Sequence, residues 1–249
     1  MQEILVPSSI DQTLQPSLFY RAEGTKKRPL LVGLHTWSHD RFNQEKTMLP
    51  YAKRLNWNLL LPEFRGSNLP TNPNCKDACG SLLARQDILD AIRYVEKEEN
   101  IDSENIFLLG ASGGGHMTLM MCGFCPTVFK AAGAFVPITD LAAWAGENPN
   151  YRPHIYACCT EDRDALANRS PMSYIDTIAK ANLKIFHGKY DPGVPVAQSL
   201  RLYSALMDTH PNARVFLDIF DGRHEMRMHM AMHWLLSQYK KTEESTVTG

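Results

Sequence analysis

The sequence predicts an α/β fold in one domain, residues 1–249, built on a mostly parallel eight-stranded sheet with helices on both faces. Short apolar runs alternate along the chain with longer segments of helical periodicity, which is the pattern typical of this class. No internal repeat and no linker-like stretch interrupts the alternation. A chain of 249 residues is long enough to bury a core that needs no disulfide or metal for stability.

The predicted strands and helices follow from apolar periodicity, taken in chain order. Eight short apolar runs are predicted as strands: 3–7, 17–22, 29–35, 57–61, 105–109, 131–136, 183–187 and 214–220. The predicted helices lie between them: 45–55, 82–99, 114–124, 138–145, 195–208 and 225–239. Because no helix separates the first two strands, we expect them to form an antiparallel pair ahead of the parallel strands.

The region from about 141 to 181 departs from this alternation. It carries bulky aromatic residues and an acidic pair: Trp144, Tyr151, Tyr156, Glu161 and Asp162. We interpret it as an insertion over the carboxyl edge of the sheet, where α/β folds place their sites. The polar tail 240–249 is predicted to be frayed.

Composition and charge exclude several classes of protein. With 26 Lys+Arg against 27 Asp+Glu the formal charge is -1, which argues against a nucleic-acid or anionic-membrane surface. No apolar run approaches the roughly 18 residues of a membrane span. The N-terminus lacks the basic and apolar regions of a signal peptide, so we expect a cytoplasmic protein unless a signal was removed before this sequence begins.

The six cysteines are too few for a disulfide scaffold. Cys122 and Cys125 form a C-x-x-C inside a predicted buried helix, without the preceding strand of a redox motif. A zinc site would need Cys75 and Cys79 as its second pair. Buried thiols are therefore favoured over metal ligands, and no metal is expected.

The sharpest motif is Gly110-Ala-Ser112-Gly-Gly114, a G-x-S-x-G between a predicted strand and a predicted helix. This strand–turn–helix exposes a serine Oγ on a strained turn, and the following N–H of Gly113 points with the helix dipole at a developing oxyanion. The alternative is a phosphate-binding turn. The sequence has neither the P-loop lysine nor the G-x-G-x-x-G spacing that this alternative requires.

A nucleophilic serine needs a histidine and an acid, expected in the order Ser, Asp or Glu, His. His224 follows the last predicted strand on a glycine-containing loop and directly precedes the last predicted helix. The remaining candidate histidines fit packing or surface roles better: His116, His210, His229 and His233. Two acids compete for the third position, Asp191 after the seventh strand and Asp140 after the sixth.

These residues resemble the catalytic domain of prolyl-oligopeptidase-type (S9-like) α/β-hydrolases and their single-domain esterase relatives. The resemblance covers about residues 29–239. It rests on the elbow around Ser112 and on four further matches: Arg169-Ser170-Pro171, His187-Gly188-x-x-Asp191, Val194-Pro195 and Gln198-Ser199-x-x-Leu202-Tyr203. It implies an α/β-hydrolase fold with the triad Ser112, Asp191 and His224, and so favours Asp191 over Asp140. It implies no metal or organic cofactor.

Two departures from the family pattern concern the site. The family's Asp-x-Arg-Gly reads Glu63-Phe-Arg65-Gly, where Arg65 is expected to be a structural salt-bridge partner. The glycine-rich oxyanion loop reads His35-Thr36-Trp37, so by position the backbone N–H of Trp37 would join that of Gly113 as oxyanion donor. The propeller that gates the larger peptidases does not precede the domain in this sequence.

The leading hypothesis is a serine hydrolase that cleaves small carboxylic esters through an acyl-enzyme on Ser112. Large rings near the acyl carbon favour short acyl chains, with Trp144, Tyr151 and Tyr156 as expected pocket residues beside Trp37. A peptidase acting on short peptides is the alternative. No obvious carboxylate pair is present to grip a peptide amine, although Glu161 and Asp162 are candidates. A catalytically silent binding protein on the same fold is the remaining hypothesis.

Overall fold

The protein is built around one eight-stranded sheet. The computed structural model describes the backbone of residues 1–245 and the side chains of residues 1–239. The strands are β1 Gln2–Pro7, β2 Leu14–Tyr20, β3 Arg28–Leu34, β4 Asn58–Pro62, β5 Ile101–Ala111, β6 Ala131–Phe135, β7 Leu183–Gly188 and β8 Val215–Phe220. Their order is β1-β2-β4-β3-β5-β6-β7-β8. The pairs β1–β2 and β2–β4 are antiparallel and the remaining pairs are parallel, which confirms the predicted mixed sheet.

Helices follow most of the parallel strands. Their bounds are α1 Glu45–Leu55, α2 Leu82–Glu98, α3 Gly113–Phe124, α4 Leu141–Glu147, α5 Arg152–Cys159, α6 Arg163–Ala167, α7 Ile175–Ile178, α8 Ala197–Thr209 and α9 Met228–Ser245. A short 3-10 turn, Pro171–Tyr174, precedes α7. Among the described residues, no helix has both the length and the hydropathy that crossing a bilayer requires.

Two helices begin three residues later than predicted. The helix predicted over 138–145 begins at Leu141, because the Asp140 carboxylate caps it by accepting the Ala143 N–H at 3.0 Å. The helix predicted over 225–239 begins at Met228, so His224 lies on a longer loop than expected. The backbone of that helix continues to Ser245, past the point where a frayed tail was predicted, and residues 246–249 lie outside the described residues.

The two faces of the sheet are covered by different helices. On one face α2, α3 and α8 bury apolar side chains such as Ile88, Met117 and Leu202. On the other face α1 and α9 bury Met48 and Leu235. Each residue is close to fully buried, and such burial contributes on the order of 1.5–3 kcal/mol for each large side chain. The sheet is therefore a rigid support for the loops at its carboxyl edge.

The region predicted as an insertion forms a small helical layer. It contains α4, α5 and α6, the 3-10 turn and α7. The first three helices contribute to a third apolar cluster with Trp37, which lies on the loop after β3, and Cys75 and Cys79, which lie between β4 and α2. The insertion is thus packed on the loops at the carboxyl edge of the sheet.

Candidate active site

Ser112 occupies a strained turn between β5 and α3. Its φ of 56° and ψ of -119° lie where non-glycine residues are rare, so the surrounding structure must hold it. The Ser112 N–H donates to the carbonyl of Phe135 at 2.9 Å, and its own carbonyl accepts the His116 N–H at 2.8 Å. The turn is therefore anchored on β6 and on the first turn of α3.

Close packing explains the glycines that follow Ser112. A Cβ on Gly113 would meet the backbone nitrogen of Trp37 and would lie 2.6 Å from its Cα. A Cβ on Gly115 would lie 2.5 Å from the carbonyl oxygen of Phe135. Only glycine lets the start of α3 approach the loop after β3 this closely.

The same close approach places two backbone N–H groups beside Ser112. Gly113 is the first residue of α3, so its N–H has no partner within the helix. Among the described residues, neither this N–H nor that of Trp37 has a protein acceptor. Register explains why they meet: β3 and β5 are neighbours, and Leu34 pairs with Gly110 near their carboxyl ends. Two free donors at a helix N-terminus can bind a developing negative charge.

The acid and base lie at the ends of the neighbouring strands β7 and β8. Asp191 Oδ2 lies 2.7 Å from Nδ1 of His224, while Oδ1 accepts the N–H groups of Gly193 at 2.8 Å and Val194 at 2.9 Å. Burial works to raise the pKa of Asp191. Hydrogen bonding to His187 and His224 more than offsets that effect, so the pKa lies well below its ordinary value. Asp191 is therefore a fixed anion that can orient the imidazole of His224.

A second histidine, His187, also contacts the Asp191 carboxylate. His187 is fully buried, with Nδ1 2.7 Å from Ser199 Oγ and Nε2 2.9 Å from the Val194 carbonyl. The same Nε2 lies 3.6 Å from Asp191 Oδ2. The sequence motif contained this histidine without indicating a role, because its contacts come from a turn and a helix further along the chain.

The insertion holds the acid-bearing loop through Trp144. The indole Nε1 of Trp144 donates to the carbonyl of Gly193 at 2.9 Å, and Asn148 Nδ2 donates to the same oxygen at 2.8 Å. Its ring packs edge-on against Trp37, with centroids 5.0 Å apart. Trp144 is 1% exposed and packs behind the site. The sequence had predicted that it lines the substrate pocket, and that prediction is wrong, because the residue is absent from the cavity lining.

A cavity of about 440 Å³ opens above Ser112, a size that suits a small ligand. Its lining residues are Thr36, Trp37, Ser38, His39, Asn43, Gln44, Thr47, Ala111, Ser112, Val136, Tyr151, His224, Glu225 and Met226. Of the aromatic pocket residues expected in the insertion, Tyr151 lines it. Tyr156, like Trp144, packs in the third apolar cluster instead. The polar residues between 38 and 47 were not predicted, since no local pattern marks the loop that carries them.

The triad residues are brought to this one place. Ser112 and His224 both line the cavity, and Asp191 lies behind His224. In the described part of the chain, no hydrogen bond joins the side chains of Ser112 and His224, a separation that is common in unliganded sites. The catalytic roles of the three residues, and those of the Gly113 and Trp37 N–H groups, stay predictions that the geometry permits.

The competing candidates lie elsewhere. Asp140 is the N-cap of α4 and does not line the cavity. His116 is buried, with Nε2 2.7 Å from the Arg169 carbonyl, and burial lowers its pKa to about 4. His210 pairs with Asp176 at 2.8 Å on the surface. The remaining two, on α9, line a different cavity: His229 and His233.

The acidic pair proposed as an amine grip also lies apart from the cavity. Glu161 and Asp162 are exposed in the turn before α6, where the Asp162 carboxylate caps the helix by accepting the Ala165 N–H at 2.7 Å. The acid that does line the cavity is Glu225, which forms an ion pair with Arg227 at 2.7 Å. A substrate ammonium would have to compete with that guanidinium for the carboxylate.

Arg65 forms a buried ion pair, as its position in the motif predicted. Its guanidinium donates to the carboxylate of Asp87 and also to that of Asp11, the latter at 2.8 Å. The Arg65 side chain is only 4% exposed. Burial raises the pKa of Asp87 above its ordinary value, although the hydrogen bond from Arg65 acts in the opposite direction. The network ties the segment after β4 to α2 and to the loop after β1.

No metal centre is evident at the site. Within the described residues, no three His, Cys, Asp or Glu side chains are grouped in a way that could hold a metal ion. The cavity itself is lined by the hydroxyl of Ser112 and the imidazole of His224, with the carboxylate of Asp191 behind the imidazole.

Comparison with known proteins shows which chains this one resembles. The model of the prolyl oligopeptidase family matches residues 84–241. The chain is 25% identical over 224 residues to acylamino-acid-releasing enzyme 1 of Oryza sativa subsp. japonica, covering 81% of this chain and 28% of that protein. It is 26% identical over 192 residues to an acetylxylan esterase of Coprinopsis cinerea, covering 69% of this chain and 48% of that protein.

Solved structures show the same fold. The acylaminoacyl peptidase of Pyrococcus horikoshii superposes with a TM-score of 0.72 at 23% identity, over 90% of this chain and 37% of that one. Dipeptidyl peptidase 4 of Porphyromonas gingivalis gives a TM-score of 0.74 at 16% identity, over 96% of this chain and 35% of that one. The chain spans less than half the length of each of these four proteins.

Proposed function

The chain belongs to the prolyl oligopeptidase family, and from this premise we propose that it is a serine hydrolase that cleaves short-chain carboxylic esters. The observation that carries the proposal is the convergence of three elements on one cavity. These are the strained Ser112 turn, the Asp191–His224 pair at 2.7 Å and the free N–H groups of Gly113 and Trp37.

Each group has a defined step. Ser112 Oγ attacks the acyl carbon as His224 accepts its proton, and the two N–H groups bind the negative charge that develops on the carbonyl oxygen. The alcohol leaves with the proton from His224. Water then releases the acid through the same steps in reverse, with His224 again as base. Asp191 stays ionised throughout and holds His224 with its Nδ1 proton toward the carboxylate.

The carboxylates around the cavity support an ester over a peptide with a free amino terminus. The acidic pair at 161 and 162 lies outside the cavity, and Glu225 is already paired with Arg227. An amide also has the poorer leaving group, so its cleavage depends more on contacts that position the substrate. The mostly neutral lining supplies few charged contacts of this kind.

A second candidate is hydrolysis of N-acylated peptides, which have no free ammonium to bind. The observation that favours it is the resemblance to proteins named acylamino-acid-releasing enzymes. The acetylxylan esterase among the relatives favours the ester. The two candidates share the acyl-enzyme and differ in the leaving group, so a comparison of leaving groups distinguishes them.

The test uses one acyl group, N-acetylalanyl, carried on an alcohol, on an aromatic amine and on peptides of increasing length. We expect a higher kcat/KM for the ester and no gain as the peptide grows, because no contacts are proposed for the distant residues. Ser112→Ala serves as the blank. A fluorophosphonate should label the wild type at Ser112 and leave this variant unlabelled.

Three results would contradict the proposal at different levels. An amide kcat/KM equal to the ester's, or one that rises with peptide length, would replace the ester with a peptide substrate. Labelling at another serine would remove Ser112 as nucleophile. Activity retained in Ser112→Ala would overturn the acyl-enzyme itself.

A further inference from the structure

Four cysteines from two segments far apart in the chain pack together where the insertion contacts the loop before α2, and we refer to them as the thiol cluster. Cys75 and Cys79 come from the loop between β4 and α2, and Cys158 and Cys159 end α5. All four are buried free thiols in the third apolar cluster. The Sγ atoms of Cys79 and Cys159 lie 3.5 Å apart, and the Cys75 thiol lies 3.6 Å from the carbonyl oxygen of Ala157, the residue before Cys158.

The sulfurs of Cys79 and Cys159 are in direct nonbonded contact. Their sulfurs need to approach by only about 1.5 Å to reach the bonded distance of roughly 2.05 Å. The two residues are 80 positions apart in sequence, so local helix or turn geometry does not produce the contact. The fold itself brings the sulfurs together.

The backbone around Cys79 is held in an unusual conformation. Its φ of 47° lies in the left-handed region, where glycine is favoured over a residue with a Cβ. Asn68 Oδ1 accepts the Cys79 N–H at 2.8 Å, and the Arg169 guanidinium donates to the Ala78 carbonyl at 2.9 Å. The loop therefore adopts a backbone conformation that costs free energy for any residue except glycine. The residue at this position is nevertheless a cysteine, whose thiol packs against α5.

The other two cysteines lack these features. Cys122 and Cys125 lie together on α3 and at its C-cap, and burial raises the pKa of Cys125 to about 12. In the thiol cluster the contact with the Cys79 thiol lowers the pKa of Cys159 below its ordinary value, with the Arg169 guanidinium acting in the same direction. Cys159 is therefore better suited to react as a thiolate than either cysteine of α3.

We propose that the thiol cluster is a disulfide site in which Cys79 pairs with Cys159, joining the insertion to the loop before α2. The oxidant is a low-molecular-weight disulfide of the glutathione type. The Cys159 thiolate attacks one sulfur of this oxidant and expels a thiolate, which takes up the proton lost by Cys159. Cys79 then loses its proton and attacks the Cys159 sulfur, expelling the second thiolate, which takes up that proton.

The link would restrain a wall of the cavity. Tyr151, which lines the cavity, is the N-cap of α5, and the cysteines lie at the other end of that helix. A bond across a loop of this length constrains the unfolded chain strongly. We expect the oxidised protein to melt at a temperature on the order of 5–15 °C above that of the reduced protein.

The test incubates the purified chain in a glutathione redox buffer just below its melting temperature, where local opening exposes the buried thiols. Free thiols are then alkylated after denaturation, and peptides are mapped by mass spectrometry without reduction. We expect two of the six thiols to escape alkylation, a linked pair of peptides containing Cys79 and Cys159, and a rise in Tm that dithiothreitol reverses.

Two variants separate this site from general oxidation. Cys159→Ser should lose the Cys79 link and most of the rise in Tm, whereas Cys125→Ser should keep both. Six alkylated thiols in the oxidised wild type would overturn the proposal. So would links confined to one segment, such as Cys75 to Cys79, or stoichiometric zinc held by the four thiols in the protein as purified. The linked peptides are read in the wild type, so the result does not depend on the variants folding or on the substrate of Ser112.

Discussion

Trp144 packs edge-on against Trp37, with ring centroids 5.0 Å apart, and so joins the two sides of the candidate site. Its indole N–H holds the carbonyl of Gly193, two residues after Asp191, while Trp37 carries one of the two free backbone N–H groups near Ser112. One side chain of the insertion therefore braces both the acid-bearing loop and the oxyanion loop.

Trp144→Phe should lower kcat about 5- to 10-fold with little change in KM, because it removes one hydrogen bond to the Gly193 carbonyl and keeps the ring packing. The matched control is Trp234→Phe, which removes an indole bond of 3.2 Å to the Ala132 carbonyl on another part of the sheet. Steady-state kinetics on a p-nitrophenyl ester measures both. An equal loss of kcat in the two variants would show that Trp144 affects only general stability.

Asp191→Asn should lower kcat about 10³- to 10⁴-fold, because an amide at this position no longer stabilises the imidazolium form of His224 or the required tautomer. Asp140→Asn is the matched control and should be nearly silent, since asparagine also caps a helix well. The measurement is kcat on a p-nitrophenyl ester, with melting temperatures to confirm folding. The reverse ranking of the two variants would move the acid to the end of β6.

Gly113→Ala should lower kcat/KM about 10²- to 10³-fold, because the new Cβ would push the Trp37 backbone away and misplace an oxyanion donor. Gly146→Ala provides the control, since a Cβ there meets nothing within 4 Å and the residue lies inside α4. The control should keep full activity. A Gly113→Ala variant with wild-type kinetics would show that this approach does not form the oxyanion site.

We expect the aromatic side chains that line the cavity, Trp37 and Tyr151, to limit the length of the acyl chain that fits. Acetyl and butyryl p-nitrophenyl esters should exceed the dodecanoyl ester in kcat/KM, and Tyr151→Ala should shift the preference toward longer chains. Tyr156→Ala, on the same helix but away from the cavity, should leave the preference unchanged. A wild-type kcat/KM that rises steadily to the dodecanoyl ester would contradict a narrow acyl pocket.

Arg65→Met should lower the free energy of unfolding by about 3–5 kcal/mol, because it leaves the Asp87 carboxylate buried without its cation. Lys97→Met removes one member of an exposed pair and should change stability by less than about 0.5 kcal/mol. Urea unfolding monitored by circular dichroism measures both. A cost below about 1 kcal/mol for Arg65→Met would mean that the pair is not a structural requirement.

The fold was predictable because its signals are local. Each strand of the sheet is a short apolar run, and the structure places a strand at each of the eight predicted sites. The largest difference among the strands is the start of β5 at Ile101, where a polar segment without an apolar run begins the strand and Ile101 pairs with Arg28, the first residue of β3. The start of α4 was missed for a similar reason, since its cap at Asp140 is a single side-chain contact.

In the candidate site too, local patterns predicted which edge of the sheet a residue lies at but not the contacts of its side chain. Periodicity and motif placed Ser112, Asp191 and His224 at the ends of β5, β7 and β8, and parallel strands bring those ends to one edge. For the aromatic residues of the insertion, the sequence predicted a position near that edge and nothing more precise. Tyr151 lines the cavity while Trp144 packs behind it, a difference that depends on the direction of each side chain.

The sequence by itself determined the mixed sheet, the strained serine turn and the order of the candidate triad, because short-range patterns encode each of them. Only the tertiary structure decided the brace from Trp144 to Gly193, the neutral lining of the cavity and the meeting of Cys79 with Cys159. These features join side chains from segments far apart in the chain. Their contacts are set by how the insertion packs on the sheet, and no local pattern of residues records that packing.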